Sequence, residues 1–109
     1  MVELGAEGGA HLEVTVDTGA EDDVLVVLTG ELDLSNVDAL AALVDPLVAS
    51  TPDRLIFDLH ELAFLDSSGI ALLLRAAARA GTVVVRRPST IVRRVLEATG
   101  LTQVLKIEP

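Results

Sequence analysis

Three times along this chain a short aliphatic run gives way to a helical pattern. "VLVVLTG" precedes the stretch from Ser35, "RLIFDL" the stretch from Ser67, and "TVVVR" the stretch from Pro88. Runs rich in Val, Ile and Leu without polar alternation suit strands covered on both faces. Strands that alternate with helices are joined by parallel crossovers, with the helices packed on the sheet. Upstream, "HLEVTVD" sets Leu12, Val14 and Val16 against polar neighbours, the pattern of a half-buried strand. "TGAEDD", with the solvated acids Glu21, Asp22 and Asp23, reads as the turn that pairs this strand with the next as a hairpin. "QVLKIE" closes the chain as a last strand. The expected fold class is α/β, in the order β-β-α-β-α-β-α-β, with a mixed sheet and Val26, Ile56 and Val84 on central strands.

The helical stretches carry their own punctuation. Ser35 stands before the first, with Asp38 three residues on, close to a capping box. Val37, Leu40, Ala41, Val44, Leu47 and Val48 form its apolar face, and Pro46 is expected to kink it or end it early. Ser67 to Ala80 is rich in Leu, Ala and Arg and is stopped by Gly81. Helical spacing turns Ile70, Leu73, Leu74 and Ala77 inward, with Leu73 over the central strands. Leu72 then falls on the outer side, between Ser68, Arg75 and Arg79. Pro88 and Ser89 open the third helix, Ile91, Val92, Val95 and Leu96 face inward, and Gly100 ends it.

The chain has 109 residues, half of them apolar, but only Phe57 and Phe64 are aromatic, so the core must be aliphatic. It has no cysteine, which excludes disulfides and thiolate metal sites. A net charge of −9 argues against direct binding to nucleic acid or to anionic membrane surfaces. That charge is unevenly distributed: residues 1–66 hold fifteen acids and one base, Arg54, whereas residues 67–109 hold seven bases and two acids. The first ten residues, "MVELGAEGGA", read as a loose lead-in. They lack the basic and apolar pattern of a secretory signal, and no apolar run reaches membrane-spanning length. A soluble cytoplasmic domain is expected.

The stretch with most chemistry in it is "FLDSSGIALLL", Phe64 to Leu74. Asp66, Ser67 and Ser68 all suit the start of a helix, where side-chain oxygens accept otherwise unpaired backbone N–H groups. A second reading is a hydrolase nucleophile, but the Gly-x-Ser-x-Gly elbow is only half present around Ser67, with Gly69 and no glycine at Leu65. His60 and Asp58 lie nearby without triad spacing, and His11 and His60 show no metal-ligand spacing. No phosphate-binding glycine loop is present. No cofactor and no metal are expected.

A third reading comes from likeness. "LTGELDLSN", "LIFDLHELAFLDSSGIALLL" and "VVVRRPSTIVRRVLEATGL" together resemble a STAS domain, and specifically the bacterial anti-sigma factor antagonists. The resemblance runs from about Leu12 to Ile107, so that residues 11–109 would form a single STAS domain behind the lead-in of residues 1–10. It implies a regulatory binding module without catalysis of its own, a monomer or weak homodimer. Such a module captures an anti-sigma factor and so frees a sigma factor for transcription. The anti-sigma factor is often a serine-protein kinase that ends the binding by phosphorylating the antagonist, and a serine phosphatase restores it. The acceptor by resemblance is Ser67, the serine directly after the aspartate. The partner surface expected around it comprises Asp33, Asp66, Ser68, Gly69, Leu72 and Arg75. Unpaired N–H groups of the helix start are expected to hold the phosphate. STAS domains also serve as subunits of transport or stress-sensing assemblies, in which the serines would only cap the helix.

Overall fold

The computed structural model describes residues 1–5, 9–18 and 22–109. The elements are β1 (Val2–Leu4), β2 (Leu12–Asp17), β3 (Asp23–Leu32), α1 (Val37–Ala49), β4 (Arg54–Leu65), α2 (Ser67–Arg79), β5 (Val83–Arg86), α3 (Thr90–Ala98), a 3-10 turn (Leu101–Gln103) and β6 (Lys106–Glu108). They form one six-stranded mixed sheet in the order β1-β2-β3-β4-β5-β6. The first two pairings are antiparallel and the last three parallel.

A strand order that follows chain order has a direct consequence. Right-handed crossovers that always step the same way put α1, α2 and α3 on one face of the sheet. Side-chain alternation agrees with this. Val24, Val26, Leu28, Leu55, Phe57, Leu59, Val83 and Val85 share one buried cluster with Leu40, Val44, Leu72, Leu73, Val92 and Leu96 of the helices. Ile56 and Val84 point the other way; both are buried, yet lie outside that cluster. On that side Arg54 reaches from β4 to Glu108 on β6 (3.6 Å) while also bonding Asp23. Arg86 approaches the same Glu108 at 3.4 Å. Val84 sits on β5, between the two strands so bridged.

Several expectations need correction. Val2–Leu4, within the presumed lead-in, pairs with β2. The turn at "TGAEDD" falls partly outside the described residues; the antiparallel pairing it was expected to join runs from Leu12↔Gly30 to Asp17↔Leu25. β4 runs on from "RLIFDL" to Leu65, past register shifts between Val27 and Thr29 and between Gly30 and Glu31 of its partner. α1 starts one residue later than a Ser35 cap implies and passes through Pro46 to Ala49. Pro46 is exposed, so the carbonyl left without an amide partner can turn to water. Ile91 is exposed rather than buried, because α3 rests on the core through Val92 and Leu96, with Val95 partly buried beside them. Of "QVLKIE", Gln103 ends the 3-10 turn and Val104 and Leu105 lead out of it, so only its second half, Lys106–Glu108, is strand. No helix among the described residues is long and apolar enough to cross a membrane.

Candidate functional site: two adjoining Asp-x-Ser turns

The parallel pairing of β3 with β4 ends at Leu32↔Leu65, so the loops leaving the two strands emerge together. Each opens with Asp-x-Ser. At Asp33-Leu34-Ser35, the Ser35 backbone N–H (2.8 Å) and hydroxyl (2.6 Å) both donate to Asp33 Oδ1. At Asp66-Ser67-Ser68, the Ser68 N–H (2.9 Å) and hydroxyl (2.5 Å) both donate to Asp66 Oδ1. Each carboxylate draws the third residue back and leaves the middle residue facing outward. Leu34 is 75 % exposed, and Ser67 is exposed as well.

The turns are tied to each other. Leu34 N–H donates to Asp66 Oδ2 (3.2 Å), and Asp66 N–H donates to the Leu32 carbonyl (3.2 Å). Asp33 and Asp66, distant in sequence, therefore flank one small surface, as expected. Behind the first turn sits Asn36, 1 % exposed. Its amide donates to the carbonyls of Glu31 (2.9 Å) and Ala10 (3.3 Å), and its Oδ1 accepts from Asp33 N–H (3.1 Å). Sequence reasoning missed it: an Asn beside Ser35 reads as capping material, and nothing local marks it as a buried clip. Nearby, Gly30 has φ +114°, and a Cβ there would lie 2.2 Å from the His11 carbonyl oxygen. That close approach lets Glu31 N–H reach the same oxygen at 2.9 Å.

Behind the second turn sits Gly69. A Cβ there would lie 2.3 Å from Leu65 Cδ1 and 2.9 Å from Leu32 Cδ2, so the bare backbone lets α2 settle onto the strand ends. Gly69 is thus buried and supports the site from beneath. Asp66 is the N-cap of α2, extended at φ −100°, and also accepts Gly69 N–H at 3.2 Å. Partial burial pushes its carboxyl up, but bonds from the Ser68 hydroxyl and from the N–H groups of Gly69, Ser68 and Leu34 outweigh this and hold it below the usual aspartate value. Of the N–H groups expected to hold a phosphate on Ser67, those after Ser67 itself are engaged in the unmodified chain. Asp66 already occupies the N–H groups of Ser68 and Gly69, and its carbonyl takes that of Ile70.

The outward face of α2 also differs from expectation. Leu72 is 3 % exposed and lies in the seam with α1, beside Ala41, Val44 and Val48. Leu74, expected inward, is 41 % exposed. Contact with α1 as well as the sheet rotates the buried arc of α2 onto Gly69, Leu72, Leu73 and Ala76. Arg75 is exposed, as expected, and Leu74 lies two turns from Ser67 on the same side. Phe64, just before the site on β4, is 44 % exposed. Leu34, Phe64 and Leu74 are the apolar candidates that sequence reasoning overlooked; Leu34, between Asp33 and Ser35, was the legible one.

Neither histidine approaches the serine pair. His60 lies on β4, with Nδ1 3.1 Å from Asp58 and Nε2 3.2 Å from Glu61. Burial pushes the Asp58 carboxyl up, but hydrogen bonds from Arg87 and from the backbone and ring of His60 bring it below its ordinary value. His11 sits between Glu3 (3.1 Å) and Glu13 (3.7 Å).

Comparison with known proteins gives a consistent result. The family model described as "Mlab, STAS domain" matches residues 14–107. The anti-sigma F factor antagonist of Lysinibacillus sphaericus is 33 % identical over 96 residues, covering 84 % of this chain and 80 % of the relative. Among solved structures, an anti-sigma factor antagonist from Mycobacterium paratuberculosis is 29 % identical, with a TM-score of 0.78 over 97 % of this chain and 91 % of that one. The antagonist SpoIIAA in its unphosphorylated form is 28 % identical, with a TM-score of 0.73 over 87 % of each chain.

Proposed function

The chain belongs to the STAS domain family, among the anti-sigma factor antagonists, and we propose that it captures an anti-sigma factor until Ser67 is phosphorylated. The observation that carries this reading is the presentation of Ser67: its hydroxyl faces solvent at the start of α2, beside an outward Leu34. The docking surface comprises Leu34, Ser67, Leu74 and Arg75, bordered by Asp33 and Asp66. The protein performs no catalysis itself. It is the substrate of an anti-sigma factor that is also an ATP-dependent serine kinase, and a serine phosphatase resets it. The site of action is the cytoplasm, where sigma factors meet their polymerase.

Phosphorylation would add about −1.5 to −2 charges beside Asp66. The N–H groups of Ser68 and Gly69, the nearest donors along the helix start, are already bonded to Asp66. The phosphate therefore projects into the partner's contact surface as a hydrated dianion, and like-charge or desolvation mismatch there costs several kcal/mol. The fold does not depend on the Ser67 hydroxyl and should survive the change.

The test is capture of partners from native lysate followed by incubation of the recovered complex with ATP. Recovery of an ATP-binding anti-sigma factor that places phosphate on Ser67 and then dissociates is the expected result. Stable association with a transport assembly, with no phosphate on Ser67 in cells, would favour the second reading, a non-phosphorylated STAS subunit.

A further inference from the structure

Two hydroxyls stand side by side at the start of α2, and they differ in what holds them. Ser68 is half-buried and donates its hydroxyl proton to Asp66 at 2.5 Å, while its N–H donates to the same oxygen at 2.9 Å. Ser67 is exposed, and its hydroxyl has no partner among the described residues. The adjoining turn shows that this is a property of the device: Asp33 holds the Ser35 hydroxyl in the same way, at 2.6 Å. In each turn the carboxylate retains the third residue and releases the second.

We propose that Asp66 is the positioning residue that selects between the two hydroxyls, withholding Ser68 so that Ser67 alone accepts the phosphoryl group. This rests on the reading of Ser67 as the modified residue. In the transfer, a serine Oγ bonds to the γ-phosphorus of ATP as the bond from that phosphorus to the departing ADP oxygen breaks. The hydroxyl proton passes to a base supplied by the kinase. Ser68 is unsuited to this on two counts. Its proton is committed to a carboxylate through a charge-assisted hydrogen bond, the stronger kind, which would have to break before a kinase base could take it. Its oxygen also lies against a negative charge that repels the incoming triphosphate. Ser67 can turn its hydroxyl toward a kinase without breaking any bond within its own chain.

The first arm of the test uses the protein alone. Serine hydroxyl protons in the labelled protein at low temperature should exchange at least roughly tenfold more slowly at Ser68 than at Ser67, and Asp66→Ser should abolish the difference. Asp66→Ser keeps a capping oxygen at the start of α2, so the helix is retained. Equal exchange in the unaltered protein would overturn the proposal, whether or not a kinase acts. The second arm uses the anti-sigma factor recovered above, with ATP, and locates phosphate by mass spectrometry. Ser67→Ala should take up none, whereas Ser67→Ala combined with Asp66→Ser should gain phosphate on Ser68. If that double variant stays unmodified while Asp66→Ser alone is still phosphorylated only on Ser67, Asp66 does not make the choice. If the unaltered protein itself takes no phosphate, the reading of Ser67 fails, and the exchange measurement still decides whether Ser68 is withheld.

Discussion

The two Asp-x-Ser turns are alike in hydrogen bonding and unlike in what supports them and what they present. The first is secured by a polar clip, Asn36, with three hydrogen bonds to the backbone. The second is secured by the absence of a side chain, at Gly69, where Leu32 and Leu65 fill the space a Cβ would need. The first presents a leucine and the second a serine. Similar turns thus make two similar pedestals, and the middle residue decides whether the pedestal carries an exposed leucine or an exposed hydroxyl. The difference also ranks the substitutions that would separate the two.

The largest effect should follow from Asn36→Ala. It removes a buried amide and leaves the Asp33 N–H and the Glu31 carbonyl without their partner, at about 1–3 kcal/mol for each group so stranded. A total near 3 kcal/mol in denaturant unfolding is expected; a loss below about 1 kcal/mol would mean that water replaces the clip. Gly69→Ala should cost less, about 1–3 kcal/mol, because the obstructing atoms include the ends of two leucine side chains that can shift. A neutral result would show that α2 is not held as closely as described.

Much of this molecule was legible before the structure. The alternation of aliphatic runs with helical stretches carried the α/β class and the mixed sheet, and the polar triplet before Gly69 marked the start of α2. What was not legible depended on long-range packing. α2 meets both the sheet and α1, so the wheel drawn from its own residues buried Leu74 and exposed Leu72, the reverse of what packing selects. Asn36 earns its role from Ala10 and Glu31, and a local reading of the helix start cannot include Ala10. β1 is a strand because β2 offers it an edge, while its own composition resembles a linker.

A smaller difference should separate the two aspartates. Asp66→Ala removes an N-cap and should cost about 1 kcal/mol, within the usual range for such caps. Asp33→Ala removes an acceptor only from its own turn, because α1 starts at Asn36 with no side-chain cap, and should cost less. Equal losses would erase the distinction. The Asp66 contribution should also depend on pH. Its folded-state pKa is lowered, so the stabilisation is complete above the unfolded value of about 4 and is lost as pH falls through the lower folded value. Asp66→Ala should flatten that part of the stability profile below about pH 4, measured against the unaltered protein.

In the proposed function Ser67 switches surface charge without a change of fold, and Ser67→Asp measures that most directly. Its melting temperature should lie within about 2 °C of the unaltered protein, since an exposed substitution usually changes stability by less than about 0.5 kcal/mol. Its affinity for the anti-sigma factor should fall by about a hundredfold or more, the equivalent of a few kcal/mol. Ser67→Ala, measured beside it, should bind as the unaltered protein does. Normal binding by Ser67→Asp, or a loss of binding that tracks a loss of folding, would contradict the claim.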